Sequence, residues 1–333
     1  MKKVIVDGFG GPEQLRLVEL ADPTPAPDQV LVRLTSIGMN NADLMARRGE
    51  YKLISGRPPF TPGLEGGGEI VVVGAAVSDR QPGQRVMLTL DAPRHQGIGQ
   101  GTYQSHYAIQ ADKTVPVPEG IADELLGALW LPYLTAWGCL VWKQNMQPGQ
   151  RVLLTAASSS VAIAAAQIVK HYGGIAVGTT TRPEKLAQLQ ALPEARYDHL
   201  LVTQGDWYRQ AKGLTQGQGY DIIFDPVAAG AFLATEIRLL AQRGALWIYG
   251  LLGDPDVVDV SPLIRKMASL RGWLLNELAG SGIERAAYQH VIDRVVESTY
   301  QLPVAATFPL GDVRQAHEFM EQNRHIGKLI LLP

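Results

Sequence analysis

The feature that most constrains this fold is a change of rhythm near residue 121. Beyond it, short apolar runs alternate with stretches of helical periodicity. Residues 152–155, 175–178, 199–202, 221–224 and 245–249 are brief and apolar, and turn residues bound them, as they bound strands. Between the first two runs, Val161, Ala164, Ala165, Ile168 and Val169 recur at helical spacing within residues 160–172. A second helix is expected at 183–192, where Pro183 takes a helix N-terminal position at no hydrogen-bond cost. Strands and helices in turn at this spacing predict a parallel sheet with helices on both faces. Residues 270–275 supply a sixth candidate strand.

The chain before residue 121 reads differently. Residues 29–34, 69–73 and 85–90 are short apolar runs set among glycines and prolines, which predicts an antiparallel or barrel-like β unit. Pro82-Gly83-Gln84 and Pro148-Gly149-Gln150 each stand just before a strand. From about residue 276 the character is mixed, with helices expected at 285–297 and 312–323 and strand-like pieces at 307–310 and 328–332. No long linker interrupts the chain, so the tail is expected to rejoin the first unit. The expected domains are 1–122 with 276–333, and 123–275.

A length of 333 residues with 46% apolar side chains is enough for two cores. The formal charge of -2 and the lack of clustered Lys and Arg argue against nucleic acid as a partner. No apolar run approaches the roughly 20 residues of a membrane helix, so no membrane partner is expected. Met1-Lys2-Lys3-Val4-Ile5-Val6-Asp7 reads as the start of a strand, and a cytoplasmic location is the expectation. Cys139 is the single cysteine, which excludes an internal disulfide framework and a cysteine-rich zinc site. Its apolar setting, Trp137-Gly138-Cys139-Leu140-Val141-Trp142, fits a small buried residue.

The first strand of the alternating series runs into Ala156-Ala157-Ser158-Ser159-Ser160-Val161-Ala162. A dinucleotide pyrophosphate binds at such a strand-to-helix turn, where small residues let the backbone approach and the helix N-terminus supplies N–H groups. The glycine fingerprint is absent. The residues are nevertheless all small, and Ser158, Ser159 and Ser160 offer hydroxyls, so Ser158 through Val161 are candidate cofactor contacts. A plain serine helix cap is the competing reading. The second strand ends Gly178-Thr179-Thr180-Thr181-Arg182-Pro183-Glu184-Lys185. An acid there would hold a free ribose 2′-hydroxyl and repel a 2′-phosphate. Thr180 and Thr181 stand in its place, with Arg182 and Lys185 one helical turn apart, which favours NADP(H) over NAD.

Several segments then form a recognisable series. They are Ser36-Ile37-Gly38-Met39-Asn40-Asn41-Ala42-Asp43, Arg48-Gly49-Glu50-Tyr51, Pro62-Gly63-Leu64-Glu65-Gly66, Gly101-Thr102-Tyr103, Leu134-Thr135-Ala136, Asp225-Pro226-Val227 and Ile326-Gly327-Lys328. In order and over the whole chain, they resemble the zinc-free quinone oxidoreductase branch of the medium-chain dehydrogenase/reductases. The resemblance implies an α/β chain with a GroES-like, mostly β catalytic domain built from both chain ends. It also implies a Rossmann domain, a doubly wound parallel sheet, between those ends. Zinc-dependent relatives carry a Cys and a His where this chain has Met39 and Leu64, and neither replacement suits a zinc ion. The serine-rich turn also departs from the glycines usual in the branch, which puts cofactor affinity in question.

The resemblance implies hydride transfer from NADPH to a quinone or a similar conjugated carbonyl, with charge on the carbonyl oxygen met by hydrogen-bond donors. It places Asn40 beside nicotinamide and substrate, and Tyr51 as acid or hydrogen-bond donor. The competing reading of Tyr51 is an aromatic wall residue of the cleft. Asp43 is read as fixing the loop, or as an acid at a helix start. By resemblance Thr135 lies near the nicotinamide ribose, and Gly250, Leu251 and Leu252 follow the fifth strand at the nicotinamide end. Trp273, Leu274 and Asn323 are implied as cofactor-adjacent. Tyr51, Leu53, Pro59 and Tyr133 are expected to line an apolar pocket. None of the scattered histidines is expected to be catalytic. A homodimer formed through the Rossmann sheet edge near 270–275 is implied as well. An enone, alkenal or enoyl-thioester reductase uses the same geometry, and a non-catalytic NADPH-binding protein is the alternative of a different class.

Overall fold

A computed structural model describes residues 1–51, 55–90, 100–254 and 256–333. The chain forms two compact units. One comprises Met1–Leu131, Tyr288–Val296 and Val304–Pro333, and the other Pro132–Ala287 with Glu297–Pro303.

In the first unit, β1 (Lys2–Val6) and β2 (Leu15–Glu19) pair antiparallel. The long strand β3 (Gln29–Gly38) leads into helix α1 (Asn41–Arg48). Strands β4 (Gly67–Val73), β5 (Arg85–Leu88), β6 (His106–Gln110) and β7 (Thr114–Pro116) follow. Helix α2 (Trp130–Trp137), most of which belongs to the second unit, continues into a π-helical turn, Gly138–Lys143.

The second unit carries the expected alternation. Strand β8 (Arg151–Leu154) precedes α3 (Ser160–His171), and β9 (Ile175–Thr180) precedes α4 (Pro183–Ala191). Then come β10 (His199–Val202), α5 (Trp207–Leu214), β11 (Tyr220–Asp225), α6 (Gly230–Leu239) and β12 (Leu240–Ile248). Helix α7 (Ser261–Lys266) and strand β13 (Ser269–Gly272) complete the series. The sixth strand thus begins one residue before the sequence places it and ends three residues earlier. Helix α8 (Glu284–Val296), β14 (Val304–Pro309), α9 (Val313–Glu321) and β15 (Lys328–Leu332) form the tail.

Strands β8 to β13 build one parallel sheet in the order β10-β9-β8-β11-β12-β13. The order steps outward in opposite directions from β8, so the turn after β8 lies at the point where the winding reverses, the usual ligand position of such sheets. Helix α3 is apolar nearly all round, and residues 162–169 are buried, as expected of a helix enclosed by its own unit. In the other unit the sheet order is β14-β15-β3-β4-β5-β7, with β6 also pairing β3. Every pairing there is antiparallel except β14 with β15. Through β15, the last strand of the chain lies beside Ile37 and Gly38 at the end of β3. Val30, Val32, Leu34, Ile70, Val86, Ile109, Leu329 and Leu331 pack in that unit's core. This pairing joins the tail of the chain to the unit built from its first residues.

Candidate active site and coenzyme site

Ser158, Ser159, Ser160 and Val161 follow β8, and Thr180, Thr181, Arg182 and Lys185 stand at the end of β9 and the start of α4. Ala156 takes a left-handed φ of 51°, a conformation glycine adopts more easily. Ala157 N–H donates to the Thr179 carbonyl (2.8 Å), which ties the turn to the neighbouring strand. Ser159 is the N-cap of α3, and its hydroxyl accepts from Ala162 N–H (3.2 Å). Ser160 and Val161 open the helix, where backbone N–H groups lack intrahelical partners and present positive dipole ends. The competing cap reading is therefore correct for Ser159, and a cap of this kind is compatible with an anion at the helix start.

Lys185 is buried and reaches back from α4 to donate to Ser158 Oγ at 2.9 Å. Burial, with the nearby Arg182 charge adding to it and Glu184 opposing it, lowers the Lys185 pKa to about 8. Arg182 instead turns toward Glu184, 3.4 Å away, on a more exposed surface. Thr180 Oγ1 accepts from Arg182 N–H (3.2 Å), and no acid stands at this strand end. Of the two cations read from the sequence, Lys185 is the one that the fold brings to the serine turn.

Beyond β12, Leu252 N–H donates to the Pro226 carbonyl (2.9 Å) and Gly253 N–H to that of Val227 (2.8 Å). Gly250, Leu251 and Leu252 are thereby stitched to the loop after β11. Leu251 and Leu252 leave their side chains exposed. Asp225 organises that loop, accepting from Thr155 Oγ1 (2.5 Å) and from the N–H groups of Val227 (2.9 Å) and Ala228 (2.6 Å). Its burial pushes its pKa up despite these donors. Thr135 lies buried in α2, and its carbonyl accepts from Trp273 Nε1 at 2.8 Å. Leu274, next to it, is exposed. Tyr133 does not line a pocket as expected. It is fully buried, stacked on Tyr300 with ring centres 4.9 Å apart, and its hydroxyl donates to Gln167 (2.9 Å).

In the other unit, Asn40 caps α1 and Tyr51 follows that helix. Tyr51 is half-buried, and its carbonyl accepts from Ser55 N–H (3.3 Å). Asn40 is drawn into a buried network. Its Oδ1 accepts from Lys328 Nζ (2.7 Å), and its Nδ2 donates to Gly38 O and to Glu65 Oε1, both at 3.1 Å. Lys328 also forms an ion pair with Glu65, whose second oxygen accepts from Leu131 N–H (3.2 Å). A Cβ on Gly38 would collide with the Glu65 carboxylate, so glycine is required there. Asp43 Oδ2 accepts from Asn40 N–H (2.8 Å) and from Tyr103 Oη (3.3 Å). Burial raises Asp43 to about 7, although the Asn40 N–H and the Lys328 charge oppose that rise. Asp43 therefore fixes the loop and stands in the first turn of the helix at once.

In the sequence, Glu65 and Lys328 appear only as members of two separate motifs, Pro62-Gly63-Leu64-Glu65-Gly66 and Ile326-Gly327-Lys328. Both were visible as residues. Their pairing across 263 positions was not. Asn323 follows α9 with a left-handed φ of 49°. Leu53 and His95 lie outside the described residues. Cys139 is buried, and burial raises its thiol pKa, as suits an inert core residue. Among the described residues, no three His, Cys, Asp or Glu side chains converge as a metal site would require, and no helix is long and apolar enough to cross a membrane.

Comparison with known proteins agrees with this geometry. Residues 26–119 match the alcohol dehydrogenase GroES-like domain, and residues 160–297 the zinc-binding dehydrogenase domain. The quinone oxidoreductase of Lama guanicoe is 31% identical, over 100% of this chain and 97% of its own length. The human synaptic vesicle membrane protein VAT-1 homolog is 29% identical, over 100% of this chain and 86% of its own. The Escherichia coli quinone oxidoreductase, solved in complex with NADPH, superposes with a TM-score of 0.88 at 26% identity, with complete coverage of both chains. The chain belongs to the quinone oxidoreductase branch of the medium-chain dehydrogenase/reductases, a family of oxidoreductase enzymes.

Proposed function

We propose that this protein is an NADPH-dependent reductase of quinones or related conjugated carbonyls. The observation that carries the reading is Lys185 held against Ser158 beneath a strand end without an acid. That corner suits a 2′-phosphate, and the first turn of α3 suits a pyrophosphate. The likeness to an enzyme solved with NADPH supports the same assignment. NADPH, when bound, supplies a hydride from its nicotinamide ring.

The remaining work falls to the protein. A conjugated acceptor needs no strong Lewis acid, because the charge left by hydride addition spreads onto its oxygen. Tyr51 donates to that oxygen, and Asn40 presents a fixed amide edge beside the ring. Within the Rossmann unit, Thr135 holds the ribose end, the loop at Gly250, Leu251 and Leu252 seats the nicotinamide, and Trp273 and Leu274 complete these surroundings; the family resemblance assigns Asn323 to the coenzyme as well. The functional form is a homodimer joined along β13, the terminal strand of its sheet, where Leu270 is exposed, as are Ile264 and Met267 in and just after the preceding helix α7.

The test is spectrophotometric. Purified protein with NADPH or NADH is offered quinones, enals and enoyl thioesters, and the loss of reduced coenzyme is followed. Turnover of a quinone with NADPH preferred is expected, and Tyr51→Phe should lower kcat by roughly 10²-fold. A preference for NADH, or full activity in Tyr51→Phe, would refute the corresponding assignment.

A further inference from the structure

The network around Asn40 has more structure than a wall residue needs. Lys328 and Glu65 are almost wholly buried, at 1% and 0% exposure, and Asp43 is also at 0%. Asn40, at 8%, is the member of the cluster that retains some surface. Burying two charges is costly, and replacing such a pair by apolar residues is often neutral or stabilising. Stability alone is therefore a poor reason for this pair.

Its geometry points elsewhere. A free carboxamide has two faces of similar size, and either can be presented. Here Lys328 can only donate, so the Asn40 carbonyl must face it. The carboxylate of Glu65 can only accept, so the Asn40 N–H edge must face that side. The two charges together leave the amide one orientation. Hydrogen bonds in such a chain polarise one another, and the lysine at the carbonyl end strengthens the N–H end as a donor. Met39 and Leu64, the positions that would bear metal ligands in zinc-dependent relatives, adjoin Asn40 and Glu65 in sequence.

We propose that Lys328 is a positioning residue of the hydride-transfer site, fixing and polarising the Asn40 amide through a buried ion pair with Glu65. The inference rests on the reading of Asn40 given above. Lys328 is itself buried and acts through Asn40, to which it donates. The sequence interval explains why a motif at the extreme end of the chain belongs to a site near its beginning: β15 pairs with the end of β3, and Lys328 opens β15.

The experiment compares Asn40→Ala, the double variant Lys328→Met/Glu65→Gln, and Lys328→Arg with the parent enzyme. Each is measured for thermal midpoint, NADPH affinity, and kcat and KM with 1,4-benzoquinone. The double variant removes the two charges together, so its midpoint and NADPH affinity should stay near those of the parent. Its kcat should fall roughly tenfold to a hundredfold while KM changes little, as expected when a reacting group is misplaced. Lys328→Arg keeps the ion pair but extends the donors farther, and supplies the same kcat test should the double variant not fold. Unchanged kcat in either folded variant, with Asn40→Ala impaired, would overturn the role of Lys328 alone. Unchanged kcat in Asn40→Ala would overturn the reading of Asn40 and this inference with it.

Discussion

The indole N–H of Trp273 donates to the carbonyl of Thr135 at 2.8 Å, and the edge of the same ring lies over Gly138. A Cβ on Gly138 would stand 2.7 Å from Cζ2 of that ring. Trp273 thus braces the helix segment that carries Thr135, and glycine is what allows the ring to come so close. Gly138→Ala should push the ring away, cost about 1–3 kcal/mol of stability through overpacking, and weaken NADPH binding several-fold. Thermal melts and coenzyme titration check both effects. An unchanged midpoint would show that the ring gives way freely.

Lys185 sits inside its unit against Ser158, whereas Arg182 sits outside with Glu184. Under the proposed assignment, the charge-assisted contact to the 2′-phosphate falls to the inner cation. Lys185→Met should raise the Kd for NADPH roughly 10- to 100-fold and leave that for NADH within about threefold. The Lys185 pKa of about 8 adds a pH signature. The free protein loses that positive charge as pH rises through 8, so NADPH affinity should fall between pH 7 and 9 and the Met variant should lack this dependence. Equal losses for both coenzymes would remove Lys185 from the 2′-phosphate.

His317 in α9 is fully buried, with Nδ1 3.3 Å from an Arg47 guanidinium nitrogen. Burial, reinforced by the Arg47 charge, depresses its pKa to about 3. An unfolded histidine accepts a proton near pH 6.5. Below that pH the unfolded chain gains a proton that the native state refuses. The contribution of His317 to stability is therefore complete above about 6.5 and drains away as pH falls toward 3, reaching on the order of 3–5 kcal/mol. His317→Gln should flatten this part of the curve, so the gap between parent and variant midpoints should shift in the variant's favour from pH 7 to pH 4. A constant gap would show that His317 titrates normally.

Glu236 on α6 is fully buried, and among the described residues neither carboxyl oxygen has a hydrogen-bond partner. Burial, with Asp225 nearby, raises its pKa well above the ordinary range. A raised acid favours folding at low pH and opposes it once the unfolded carboxyl ionises above about 4.5. Glu236→Met, similar in shape and without the charge, should stabilise the protein by about 1–3 kcal/mol at pH 7. The advantage should shrink toward pH 4. Denaturant titrations at the two pH values decide it, and a destabilised variant at pH 7 would reveal a partner for this carboxyl.

The sequence by itself determined the alternating strands and helices of the Rossmann unit, because periodicity and turn residues are local signals. It also determined the serine turn, the missing acid after Thr180, and the membership that the ordered motifs carry. Strand ends were less legible. The candidate strand at 270–275 stops at Gly272, and Trp273, whose N–H still donates to the Ile248 carbonyl, turns its indole to Thr135. Tyr133 read as a pocket residue and proved to be core, since a tyrosine's alternatives are separated only by what stacks on it. Only the tertiary structure decided that Lys185, and not Arg182, faces Ser158, and that Lys328 meets Glu65 and Asn40. Those choices depend on which strands lie side by side. Burial joins Lys328 to Glu65 and Lys185 to the Ser158 hydroxyl, and no local pattern in the chain encodes those pairings.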